Sequence, residues 1–140
     1  MDGEVSLTRL YVMRAFYLTI ILMVGSMAWP ALTNPREPLE PMEGVGFSFW
    51  GALALLAVVG LRYPLQMVPL LVVQMIYKSL WLLAVALPIW SSPLFDADVA
   101  QFARSMAIGI ALDLLVIPWG YVFANFVRKP GDRWTAARPG

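Results

Sequence analysis

Apolar residues gather into four long runs, parted by short polar or proline-rich pieces. The runs are Leu10–Leu32, Gly46–Leu61, Pro64–Pro88 and Phe102–Val127. A helix needs ~20 apolar residues to cross ~30 Å of hydrocarbon. Three runs reach that length, and the second sits at the short end. The pattern predicts an all-α fold: an integral membrane four-helix transmembrane bundle with antiparallel neighbours. It forms one domain, 1–140, with helices over about 10–32, 46–61, 64–88 and 102–127 and a basic tail over 128–140.

The connections sharpen this picture. Asn34 to Pro41 holds three prolines, and Glu37, Glu40 and Glu43 make the segment 33–45 acidic. Proline donates no amide hydrogen, so this stretch reads as an extended loop. Arg62-Tyr63-Pro64 is too short for anything but an antiparallel turn, with Pro64 opening the third helix. Pro69 is expected to kink that helix. Asp98 is the expected cap of the fourth. Arg9 and Arg14 flank the first run, where long basic side chains snorkel toward headgroups. The acidic start MDGEV and the lack of a small-residue cleavage signature argue for a retained first helix rather than a signal peptide.

Composition agrees. The chain is 60% hydrophobic and 14% charged, against about a quarter charged in soluble domains. The net charge of +1 offers no basic stripe for nucleic acid. Cysteine and histidine are both absent. That excludes disulfides, thiolate metal sites and the usual general base. No metal, cofactor or enzymatic activity is expected, because no nucleophile–base pair, phosphate loop or dinucleotide pattern is present. Seven of the ten basic residues fall on the side that would hold both termini, and two fall opposite. Basic residues in short flanks mark the cytoplasmic face, so both termini are expected there.

One residue breaks the apolar third run: Lys78. A lone ammonium in hydrocarbon costs roughly 2.5 kcal/mol or more. Asp113 is the only acid inside another run. At ~1.5 Å per residue both lie about 15 Å from the same boundary. Met67, Leu71, Gln74, Lys78 and Trp81 share one helix face; Met106, Gly109, Asp113, Val116 and Gly120 share another. These faces are expected to turn inward. The candidate polar centre is Lys78, Asp113, Gln74, Tyr77 and Trp81, with Ser79 and Tyr121 as further hydrogen-bonding groups. Two readings stand: an ion pair that fixes helix register, or a protonatable or ligand-binding site. On the second run Gly51, Ala54, Ala57 and Gly60 make a small-residue face suited to close helix approach.

In GLRYPLQMVPLL, YKSLWLLAVALP, PWGYVFANFVRKPGDRW and the early Trp29-Pro30, the chain resembles a family of small bacterial inner-membrane proteins to which no activity is attached. The resemblance spans nearly the whole chain. It implies a bacterial inner-membrane location and the four-helix topology. The expected function is that of a small accessory or structural protein, acting by lateral association with itself or with a larger membrane complex. The alternative is a small-molecule or proton-coupled membrane binder or transporter built on an intramembrane Lys78–Asp113 polar centre, any lipophilic ligand being unknown.

Overall fold

The computed structural model describes residues 4–136 and 138. It is all-helical, with no strand among the described residues. Four helices are long and apolar enough to cross a membrane: Leu7–Thr33, Pro41–Arg62, Val68–Ile89 and Ala97–Val116.

Helix α1 (Leu7–Thr33) starts where the Ser6 hydroxyl accepts from the Arg9 amide. It runs past Pro30 for one more turn. Helix α2 (Pro41–Arg62) begins inside the segment expected to be loop, which shortens that loop to the residues before Pro41. The reason is local. Pro41 occupies the first turn, where a missing N–H costs nothing. Glu40 accepts from the Glu43 amide at 2.9 Å, and such a cap contributes ~1 kcal/mol.

Helix α3 (Val68–Trp81) starts later than expected. Pro64 to Met67 form a turn, and Pro69 lies in the first helical turn, where a missing N–H takes no intrahelical bond away. Beyond Trp81 the helix widens into a π turn (Leu82–Ala86) and ends in a 3-10 turn (Leu87–Ile89). Pro88 has no N–H for the carbonyl four residues back, so the ladder changes register ahead of it.

Helix α4 (Ala97–Val116) departs most from expectation. Its cap is Asp96, which accepts from the Val99 amide at 2.9 Å; Asp98 lies inside the first turn. The run expected to reach Val127 is broken at Ile117–Pro118. Ile117 is extended, as the residue before a proline prefers. A short helix α5 (Trp119–Val122) follows, continuing into a π turn (Phe123–Arg128).

The helices form two hairpins. Helices α1 and α2 pack most closely. Gly51, Ala54, Ala57 and Gly60 are all buried, with Gly51 against Trp29 and Leu32 and Gly60 against Tyr17 of α1. A Cβ on Gly60 would lie 2.6 Å from the Tyr17 ring. A mainly aliphatic core, including Met13, Ala57, Leu71 and Ile117 around the Tyr17 ring, fills the half of the bundle nearer the termini. The other half is aromatic. Trp81 meets Phe102 edge-on at 4.8 Å, and Tyr77 meets Phe49 at 5.4 Å.

Candidate functional site

The inward faces of α3 and α4 bring Lys78 and Asp113 together. Lys78 Nζ donates to Asp113 Oδ2 at 3.0 Å. Asp113 is fully buried and the Lys78 side chain is 11% exposed. Gln74, one turn earlier on α3, is 1% exposed; its Oε1 accepts from Lys78 at a long 3.4 Å. Gly109, one turn before Asp113, makes the approach possible. A Cβ there would fall 2.8 Å from Lys78 Nζ and 3.1 Å from Cε. The lysine therefore lies flat across the α4 backbone, in space only glycine leaves.

The other expected members stand aside. Tyr77 and Trp81 pack edge-on against Phe49 and Phe102. Ser79 donates back to the Met75 carbonyl, an intrahelical bond. Tyr121 lies beyond the break, where its carbonyl accepts from Asn125. Gly120 also falls past the break and is exposed, so the inward α4 face ends at Val116.

Two features of the centre are incomplete. Asp113 Oδ1 is buried without a hydrogen-bond partner among the described residues. Lys78 carries three N–H donors and meets two acceptors. The Gln74 carboxamide nitrogen donates to no other described residue. Lys78 and Gln74 both line a cleft of about 320 Å³ between α1, α3 and α4. Its walls are apolar, with Phe16 and Ile20 from α1 and Leu112 from α4. Thr19 and Ser105 add hydroxyls that already donate to the Ala15 and Gln101 carbonyls, which leaves their oxygens as acceptors. Met23, Ile108 and Leu112 at the rim are exposed, so the cleft opens sideways, between α1 and α4. Sequence reasoning missed the contribution of α1. Thr19 was the available signal, one of few hydroxyl residues within an apolar run.

A second polar cluster sits at the end bearing both termini. Arg9 Nη2 donates to the carbonyls of Leu115 and Ile117 at 3.0 and 2.8 Å. Trp119 Nε1 donates to Leu114 at 2.8 Å. These carbonyls lose helical partners at the Pro118 break. Arg14 Nε donates to Leu61 at 2.9 Å, and the Tyr17 hydroxyl donates to Pro64 at 2.9 Å. Arg9 and Arg14, expected to snorkel outward, are instead occupied with helix ends. A cleft of about 490 Å³ beside Arg9 and Trp119 is wider and shallower than the one at Lys78.

Among the described residues no cluster of three or more acidic side chains suits a metal ion. The chain matches no family model, no curated protein and no solved structure. The arrangement defines a class only: a bundle with four helices long and apolar enough to cross a membrane and, among the described residues, one buried ion pair whose lysine borders a lateral cleft.

Proposed function

We propose that the protein is a four-span membrane protein that binds a lipophilic molecule, admitted sideways from the bilayer into the cleft between α1 and α4. One observation carries this reading: Lys78 and Gln74 keep hydrogen-bond donors that no described residue fills, and both line that cleft. The pair does not close on itself, since Asp113 Oδ1 is buried without a partner among the described residues while Lys78 turns toward the cleft. The cleft volume lies at the small end of the range for small-molecule sites. Both termini face the cytoplasm in this reading, supported by the excess of basic residues at that end. A bacterial inner membrane is the location implied by the resemblance of the sequence. No catalytic step is assigned.

A test separates folding from binding. Native mass spectrometry of protein extracted in mild detergent is expected to show a lipophilic molecule retained by the wild type. The Lys78→Met/Asp113→Leu double variant is expected to fold yet lose it, because it keeps packing volume and removes both charges. Equal retention by the two proteins would remove the polar centre from any binding role.

Lateral association, with itself or a larger complex, is supported by a different feature. Ser48 and Ala52 are small, exposed and four apart on α2, away from the α1 contact. Small residues at this spacing let helices in lipid approach closely. Ala52→Leu is expected to dissociate such an assembly, read as a fall in mass by light scattering.

A further inference from the structure

The cleft constrains its occupant more tightly than apolar walls alone. We infer that it takes a neutral lipid-soluble compound bearing a carbonyl oxygen, held by the free N–H groups of Lys78 and Gln74. This rests on the binding reading above and adds the ligand class.

The net charge of the centre comes first. Lys78 and Asp113 stand 3.0 Å apart and cancel each other. Of the pair only Lys78 lines this cleft, and no further charged side chain does. A carboxylate or phosphate would therefore bring in an unbalanced negative charge far from water, which is a severe desolvation cost. An ammonium ligand would place its charge against the Lys78 amine. A neutral ligand adds no net charge.

Donor count decides the rest. The groups left over from Lys78 and Gln74 are N–H donors, so they call for an acceptor. Gln74 is 1% exposed, and its carboxamide nitrogen makes no bond to any described residue. That nitrogen is not among the atoms sealed off without a partner, which leaves it open toward the cleft that its side chain lines. A carbonyl oxygen satisfies it and the ammonium together, and needs no donor in return. A hydrocarbon satisfies neither. The apolar walls of Phe16, Ile20 and Leu112 suit the remainder of such a molecule.

Three probes with one tail test this: decyl-p-benzoquinone, decylbenzene and decanoate. Dissociation constants are measured for the wild-type protein in nanodiscs, with empty nanodiscs as reference. The quinone is expected to bind at least about tenfold tighter than decylbenzene, in line with a hydrogen bond to a charged donor. Decanoate is expected to gain nothing over decylbenzene. Gln74→Leu, which keeps the volume and leaves the ion pair intact, is expected to remove most of the quinone preference. If quinone and decylbenzene bind equally, the carbonyl inference is overturned while the cleft remains a binding site. Tighter binding of decanoate overturns the neutrality argument. Absence of binding by all three overturns the cleft reading as well.

Discussion

Polar groups meet inside this apolar bundle at two places, and they are used differently. At the termini-bearing end, Arg9, Arg14 and Tyr17 of α1 reach backbone carbonyls left over where α2 ends, the following turn begins and α4 breaks. Arg9 Nη2, Arg14 Nε and the Tyr17 hydroxyl each meet a backbone carbonyl, while Arg9 Nε is buried without a partner among the described residues. In the middle of α3, Lys78 and Gln74 meet only one carboxylate and each other, and donors remain beside a cavity. A side chain that ties off carbonyls left over at helix ends is a fastening. A buried ion pair that ties off no helix end and borders a cavity has room for a visitor. What the polar groups are bonded to, more than how many donors are filled, separates the two.

The largest expected effect comes from splitting the central pair. Lys78→Met strands Asp113, which is fully buried, and should cost about 3–5 kcal/mol. Reversible unfolding in mixed micelles would measure it. The Lys78→Met/Asp113→Leu double variant should regain most of that loss, because buried pairs are often replaceable by apolar groups of similar size. A double variant as unstable as the single would make the centre a fastening after all. Next comes Gly60→Ala, which drives a methyl into the Tyr17 ring and should cost about 1–3 kcal/mol by the same assay. Unchanged stability there would mean α1 and α2 can part without loss. The smallest of the three is Tyr17→Phe. It leaves the Pro64 carbonyl without its donor and should cost about 1 kcal/mol, with no effect on ligand retention. A loss of ligand in this variant would erase the contrast between the two places.

The four runs, the inward faces of α3 and α4 and the candidate pairing of Lys78 with Asp113 were legible in the sequence. Rare charges in apolar helices must find each other, and their depth can be counted. The small-residue face of α2 was legible too. The helix ends were less so. Pro41 and Glu43 looked like loop composition, although proline and an acid in a first turn also suit a helix start. Pro118 sits in an unbroken apolar run, so hydropathy gave no hint of the break there. The cleft wall from α1 was hidden for a different reason. That helix is apolar on nearly every side, and lipid-facing and partner-facing residues look alike. Tyr77 and Trp81 share the neighbourhood of Lys78, but their large rings pack more readily against Phe49 and Phe102.

The hold of Arg9 on Leu115 and Ile117 joins positions 106 and 108 residues apart. During synthesis, the guanidinium emerges long before the carbonyls that will receive it exist. Until the last long helix arrives, that cation has neither of these carbonyls to meet. Closing the bundle is then a late event that requires nearly the whole chain, and it draws the first-made helix against the last. A nascent chain halted before Ile117 would carry the first hairpin folded and its ring unclosed.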